Sequence, residues 1–435
     1  MALTGRLVAL IAFGIVPVVI LGVTTGDAVT PFLVWLALVL ILSIIDLALA
    51  GSPRSVVLSR KLPARVRLGE SVASELFITN RGRRTIRALV RDGWQPSAGA
   101  PPERLALTIP PGERRLATTV LTPFRRGERR TTQVTIRSRG PLGLLARQAT
   151  LNSPGRIRVL PAFTSRKHLP SRIARLRELE GATSVMVRGQ GTEFDSLREY
   201  VRGDDVRSID WRATARRGDV MIRTWRPERD RRIVIVTDTG RTSAARISDE
   251  PRIDTAFESA LLLSALATRA GDRIDYLAYD RRVRARVQGA TGAELLSRLV
   301  DAMSPVDPEL IETDWTAIPD QIRQITSRHA LVVLQTSIDA PGAARALLSV
   351  LPQLTRRHTV VVASVTDPAT LDATRLRGNR EAVYRAASAE RALLDIERVS
   401  AAIRQLGADV VTGSPSALPP LLADHYIALK AAGRL

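Results

Sequence analysis

The sequence contains no cysteine, which excludes disulfides, thiolate metal sites and cysteine nucleophiles together. It also fits a body kept in a reducing compartment. Lysine is nearly absent too: only Lys61, Lys167 and Lys430 occur, so the net charge of +21 is carried almost wholly by arginine. Aromatics are 4% of the chain, and the basic stretches lack the interleaved rings of a nucleic-acid stacking platform. The arginines alternate with acids rather than gathering in one block. Nucleic-acid binding is therefore not expected, although charge alone would allow a nucleic-acid or anionic-lipid role as an alternative.

Catalytic motifs are missing as well. There is no Gly-x-x-x-x-Gly-Lys-Ser/Thr phosphate loop and no His-Glu-x-x-His. The four histidines, His168, His329, His358 and His425, are scattered. Gly189-Gln190-Gly191 is a fragment of a dinucleotide fingerprint without a strong strand before it. The chain is not expected to be an enzyme. A hydrolase built on Asp238 is the alternative, and nothing in the sequence supplies its partner base.

What is present begins with two apolar runs, Leu7 to Val23 and Phe32 to Ala50. Each has the length of a helix that spans a bilayer core. Pro17 is tolerable in such a helix. The short link Thr24 to Pro31 makes a hairpin. Arg6 precedes the first run, and Arg54, Arg60, Lys61, Arg65 and Arg67 follow the second, whereas the link carries only Asp27. The positive-inside rule puts both termini, and the body, in the cytoplasm beneath the inner membrane. A signal peptide fits poorly, because a second span follows at once. Asp46, the one charge in the second run, is expected to reach the headgroups from about one turn inside.

Residues 55–161 alternate apolar and polar positions, as in Val72, Leu76 and Ile78 or Leu105, Leu107 and Ile109. Turn sequences such as Asn80-Arg81-Gly82 and Pro110-Pro111-Gly112 separate the runs. Half-buried antiparallel strands at this spacing suggest a β-sandwich of immunoglobulin or fibronectin type. Residues 162–231 are densely charged. There Arg198, Asp204, Asp205, Arg207 and Asp210 suggest an arginine–carboxylate network ordered around Trp211; solvated surface pairs are the equal alternative.

Residues 232–435 change pattern. Buried strands are expected at Ile233 to Val236, Arg273 to Tyr279, Ala330 to Leu334, Thr359 to Val365 and Ala408 to Val411. Helices are expected at Asp254 to Ala270, Ala293 to Met303, Trp315 to Ser327, Ala343 to Leu354 and Glu381 to Leu406. A last helix is expected within Ala417 to Ala432, starting properly only after Pro419-Pro420. This alternation predicts a parallel, doubly wound α/β sheet with ligands beyond the carboxyl ends of its strands. Three loops there are rich in hydroxyls and carboxylates: Asp238-Thr239-Gly240-Arg241-Thr242, Glu312-Thr313-Asp314-Trp315 and Gln335-Thr336-Ser337-Ile338-Asp339. Hard oxygen ligands of this kind suit Mg²⁺.

This last region resembles a von Willebrand factor A domain, whose metal-ion-dependent adhesion site opens with Asp-x-Ser-x-Ser. The stretch Gly191 to Arg223, with Arg207-Ser208-Ile209-Asp210-Trp211-Arg212-Ala213, resembles the hallmark of the DUF58 family. The ending Tyr426, Leu429-Lys430, Arg434-Leu435 is similar to that family's ending. The resemblance implies a multidomain protein: a transmembrane α-hairpin (1–54), a β-sandwich (55–161), the hallmark segment (162–231) and an A-like α/β domain (232–435). It also implies a metal site at Asp238, Thr242 and Thr313, with Gly240 standing where a serine hydroxyl is expected. The face around Asp238, Arg241, Thr242, Thr313 and Asp314 would receive an acidic protein ligand. A MoxR-type AAA+ ATPase is the partner implied, and membrane-anchored adaptor or scaffold the role.

Overall fold

The computed structural model describes residues 2–186, 193–202, 204–226, 231–339 and 341–435. The Gly189-Gln190-Gly191 fragment and Thr192 lie outside the described residues. The chain divides into two compact units, Met1–Leu160 and Pro161–Leu435.

In the first unit a short strand β1 (Ala2–Leu3) leads into helices α1 (Gly5–Phe13), α2 (Ile15–Thr25) and α3 (Val29–Leu49). Two helical stretches here are long and apolar enough to cross a membrane. At 1.5 Å per residue, the 21 residues of α3 rise about 31 Å, matching a hydrocarbon core of about 30 Å. Val19, Ile20, Leu40, Ile41 and Ile44 leave their side chains on the outer surface. Gly14 separates α1 from α2, and a Cβ there would collide with the Trp35 ring. The missing side chain is what lets the two arms of the hairpin approach.

Strands β2 (Val56–Lys61), β3 (Arg65–Arg67), β4 (Val72–Asn80), β5 (Ile86–Trp94), β6 (Leu105–Ile109), β7 (Arg114–Leu121), β8 (Gly127–Arg139) and β9 (Leu145–Leu160) follow. They form one sheet in the order β1-β9-β8-β5-β6, with β3 on β9, and a second in the order β2-β4-β7. Leu76 and Ile78 of β4, Ile86 and Val90 of β5, and Val134 and Ile136 of β8 meet in one buried cluster. The period-2 pattern thus puts one face of each strand into that cluster. Nothing in this strand order assigns the immunoglobulin or fibronectin type. Inside the unit, Arg60 makes a bidentate pair with Asp92 at 2.6 and 2.8 Å, and Asp92 also accepts from the Trp94 indole at 2.9 Å.

Asp46 does not reach outward. It is 0% exposed, and its carboxylate accepts the backbone N–H groups of Leu142, Gly143, Leu144 and Leu145 at 2.7, 3.2, 2.8 and 3.1 Å. Those residues lie in the turn between β8 and β9 and at the first position of β9. Thr4 donates its hydroxyl to the carbonyls of Gly143 and Leu144 at 2.6 and 2.9 Å, and Leu7, Val39 and Leu144 pack together beside it. The hairpin is therefore pinned to its own β region by a buried anion in a ring of amides.

The second unit opens with α4 (Leu169–Met186), then β10 (Glu193–Glu199), α5 (Trp211–Arg217) and β11 (Met221–Arg226). β10 and β11 form an antiparallel ribbon. The remainder runs β12 (Arg232–Asp238), a small hairpin of β13 (Arg246–Ile247) and β14 (Glu250–Pro251), α6 (Arg252–Arg269), β15 (Arg273–Tyr279), β16 (Val283–Val287), α7 (Gly292–Met303), α8 (Ile318–Ile325), β17 (Leu331–Gln335), α9 (Pro341–Thr355), β18 (Thr359–Val365), α10 (Pro368–Ala373), α11 (Arg380–Gln405), β19 (Asp409–Gly413) and α12 (Leu418–Ala431).

The sheet order is β16-β15-β12-β17-β18-β19. β12 lies between β15 and β17, parallel to both, so the apolar run Ile233 to Val236 is central. The sheet is not wholly parallel as expected: β16 runs antiparallel on the β15 edge. The tight return at residues 280–282 explains this, since two parallel neighbours need a long crossover. Helix α6 starts two residues earlier than expected, with Pro251 at its N-cap and Asp254 inside its first turn. Helix α12 starts before Pro419-Pro420, not after them, because proline costs nothing in a first turn whose N–H groups have no helical acceptor. The ending also has a physical role. Tyr426 donates its hydroxyl to Asp272 at 2.5 Å, and Lys430 reaches the Ala270 carbonyl at 3.3 Å, which ties α12 to the end of α6.

Candidate functional site

In a doubly wound sheet, the loops after two strands that send their connections to opposite sides leave a crevice between them. Here those strands are β12 and β17. Asp238 is the last residue of β12, and Thr336 follows β17 directly. Asp238 is 3% exposed. Its Oδ1 accepts the Gly240 N–H at 2.8 Å and the Thr313 hydroxyl. Its Oδ2 accepts the hydroxyls of Thr336 at 2.6 Å and Thr242 at 3.3 Å. The Asp238 carbonyl takes the Ser243 hydroxyl at 2.5 Å. One carboxylate thus gathers three loops. Backbone bonds brace them: Arg241 N–H to the Ile311 carbonyl and Glu309 N–H to the Thr239 carbonyl, both at 2.8 Å.

Of the residues expected here, Asp238, Thr242 and Thr313 come together. Arg241 lies on the surface and pairs with Glu312 at 2.5 Å. Asp314 is not in the cluster: it caps the turn Trp315–Ala317, accepting from Thr316 N–H at 3.0 Å. Thr336 was not among the expected site residues, yet it donates to the same carboxylate as Thr313 and lies closer to it than Thr242 does. Its signal was a hydroxyl placed immediately after a buried strand. Leu310, beside these loops, is 81% exposed.

A divalent cation needs more than this. A serine at 240 would not restore a ligand, because a Cβ there collides with the Thr313 hydroxyl. The set is one carboxylate and the three hydroxyls of Thr242, Thr313 and Thr336. The nearest further acid of the third loop, Asp339, is paired with Arg252 instead. Mg²⁺ demands near-octahedral oxygen donors and charge compensation, and these residues do not fit it well. Among the described residues no group of three or more His, Cys, Asp or Glu side chains is placed to hold a metal.

A second buried carboxylate braces the rim. Asp280 accepts from Thr239 at 3.0 Å, Arg281 and Arg282 N–H at 2.5 and 3.1 Å, and Arg284 at 2.5 Å. Burial alone would raise its pKa, but Arg284 and these donors outweigh it and hold the carboxyl below the usual range. A depressed folded-state pKa contributes stability that is present above the ordinary carboxylate value and lost as pH falls through the folded one. Asp280→Asn should therefore be less stable than wild type at neutral pH and lose less on acidification below about pH 4. Thermal melts across that range would show it. Parallel curves for the two proteins would refute it.

The hallmark segment is ordered mainly by Asp210. Its Oδ1 accepts Arg212 and Ala213 N–H at 3.0 Å each, capping α5, and its Oδ2 pairs with Arg223 at 2.8 Å. The Ala213 N–H and Arg223 hold its carboxyl below the usual range. Arg198 pairs with Asp204 at 2.6 Å. Asp205 caps the next turn through the Arg207 N–H at 3.0 Å. Trp211 is not enclosed by these residues as expected. It is 70% exposed, because capping by Asp210 places it first in α5, on the outer side.

Residues 196–405 match the family described as Protein of unknown function DUF58. Uncharacterized proteins of Mycobacterium bovis and Mycobacterium tuberculosis are 26% identical over 193 residues, which is 44% of this chain. The match spans 60% of the length of those relatives. Among solved structures, BatB from Bacteroides thetaiotaomicron aligns with a TM-score of 0.30 at 14% identity, covering 47% of this chain and 99% of that one. The SpRpn10 VWA domain aligns with a TM-score of 0.29 at 10% identity, covering 46% and 94%. The hallmark ribbon and the doubly wound sheet that follows it are thus the part of this chain that is similar to the DUF58 family.

Proposed function

We propose that this chain is a membrane-anchored adaptor, which presents the rim around Asp238 to a protein ligand carrying an acidic side chain. The observation that supports this is the Asp238 carboxylate itself. It spends its charge holding three loops in one fixed arrangement, which suits presentation of a rigid rim. Leu310 and Arg241 project from the rim, an apolar anchor beside a charge of the kind that carries interfaces. The basic residues flanking the apolar hairpin favour a body on the cytoplasmic side of an inner membrane. A MoxR-type AAA+ ATPase is the proposed partner there, in assembly or maturation of a larger complex. A Mg²⁺ ion at Asp238, Thr242 and Thr313 would supply a bridge to the ligand's carboxylate. The donor set favours a rim that receives its ligand without one.

Mild-detergent purification from the native membrane, with mass spectrometry of what comes along, tests this. The wild-type chain should bring an AAA+ ATPase, and an Arg241→Glu, Leu310→Ser double variant should lose it while melting normally. Both side chains are exposed, so folding is spared. Equal recovery with both proteins would sink the proposed rim. EDTA should leave recovery unchanged; loss on chelation and rescue by Mg²⁺ would restore the metal.

A further inference from the structure

Beside the Asp238 cluster, a narrow cleft of about 20 Å³ opens between the loop after β17 and the start of α6. Thr242, Thr336, Ser337 and Arg252 supply its polar lining, and Ala256 and Val365 its apolar lining. Thr242 and Thr336 are the same residues that donate to Asp238, so the cleft is continuous with the rim. Arg252 is the buried charge. Its side chain is 13% exposed, against 34% for Asp339, with which it pairs. One terminal nitrogen donates to Ser337 at 2.7 Å, and the other meets the Asp339 carboxylate. Its Nε is buried and has no acceptor. A second carboxylate, Asp367, lies near enough to act on Arg252 electrostatically, but it is engaged in capping α10 through the Ala369 N–H at 2.9 Å.

A buried guanidinium must be paired, and the strongest pairing open to it is side-on, with one carboxylate taking two parallel N–H donors. Asp339 engages only a terminal nitrogen and leaves Nε unused. A carboxylate arriving from outside can take Nε together with the nitrogen Asp339 vacates. It gains one charge-assisted hydrogen bond that the internal acid lacks, and that difference is what lets a ligand win. Asp339 is the more exposed partner, so an incoming group meets it first and its displaced carboxylate returns to water at little cost.

Resting on the adaptor reading above, we propose that Arg252 is the receptor for the ligand's carboxylate and that Asp339 is an internal surrogate which occupies it until a ligand displaces it. The rim is then gated by a swap of acids and draws its positive charge from arginine rather than from a metal ion. The ligand class is a peptide carboxylate.

The full chain in nanodiscs, titrated with acetyl-Leu-Glu-Leu-amide and its glutamine counterpart by saturation-transfer NMR, tests this. Asp339→Ala should bind the glutamate peptide on the order of tenfold tighter than wild type, as expected when a competitor occupying most of the population is removed. The glutamine peptide should show no such gain. Arg252→Gln should abolish the gain in the Asp339→Ala background. Arg252→Lys, which keeps the charge but has no Nε donor, guards against misfolding and should recover only a small part of it. Unchanged affinity in Asp339→Ala, or a gain that survives Arg252→Gln, overturns the surrogate. Inorganic phosphate binding Asp339→Ala more tightly than the glutamate peptide overturns the ligand class. Recovery of an ATPase by a chain with no peptide affinity counts against this inference alone. Peptide binding without any ATPase recovered counts against the adaptor alone.

Discussion

Replacing Asp46 by alanine should destabilise the first unit more than any other single change outside its core. The carboxylate is the acceptor for four backbone N–H groups at residues 142–145. Removing it leaves the buried Gly143 and Leu144 donors and the part-buried Leu142 and Leu145 donors without an acceptor. Each buried, unsatisfied donor costs about 1–3 kcal/mol. Partial rehydration keeps the sum below four times that, so about 3–5 kcal/mol is expected, near the upper end for point changes. At roughly 2–4 °C per kcal/mol for a unit of this size, the thermal transition should fall by about 10 °C. Limited proteolysis in detergent should find a new cleavage site between Gly140 and Leu145. Asp46→Asn keeps one carbonyl oxygen and should fall between the two. Gly140→Ala should reproduce part of the effect, because a Cβ there collides with Asp46. An alanine variant that melts with wild type and stays uncut would show that the hairpin and the strands are held together by apolar contact alone.

The second large effect is expected at Asp238, and there asparagine and alanine should differ sharply. Alanine leaves the hydroxyls of Thr242, Thr313 and Thr336 and the Gly240 N–H without their common acceptor. Hydrogen bonds to a buried charged group are worth about 1.5–3 kcal/mol each, so a loss of about 3–5 kcal/mol for the second unit is reasonable even after the loops relax. Asparagine keeps one oxygen for Gly240 and Thr313. Its amide then faces Thr336 and Thr242, whose hydroxyls can turn and accept instead of donating. The expected loss is about 1 kcal/mol. Chemical denaturation of the full chain, following the Trp315 environment, would separate the variants. Equal losses for asparagine and alanine would mean that the negative charge itself holds the loops, as it would if a cation were resident.

Much of the second unit was legible in sequence because its strands are buried on both faces. Ile233 to Val236 and Thr359 to Val365 are continuous apolar runs, and such runs have few places to go but a covered parallel sheet. The antiparallel edge was not legible: Val283–Val287 has a mixed, half-exposed pattern that a surface loop would also show. Thr313 and Thr242 were found because the loops carrying them follow a recognisable pattern. Thr336 follows its strand without such a pattern, and Arg252 carries no local mark of a site residue, being one arginine among many at the start of a helix. The hallmark segment was the reverse case. Arg198 and Asp204 pair as the pattern suggests, whereas Asp210 pairs with Arg223, and the position of Trp211 depends on where Asp210 caps α5, a matter of a single residue.

The sequence by itself determined the properties that depend on short-range pattern: two apolar helices of membrane length, alternating strands after them, and a doubly wound sheet with Asp238 at the end of a central strand. Periodicity and burial are local averages, so neighbouring residues suffice to specify them. Only the tertiary structure decided which charges meet. Asp46 finds its amides 96–99 residues away, and Arg252 finds Asp339 across the mouth of the sheet. A buried charge is stable only where the fold supplies compensating dipoles or an opposite charge, and in a chain this rich in arginine and acid the choice among partners is made by packing, not by spacing.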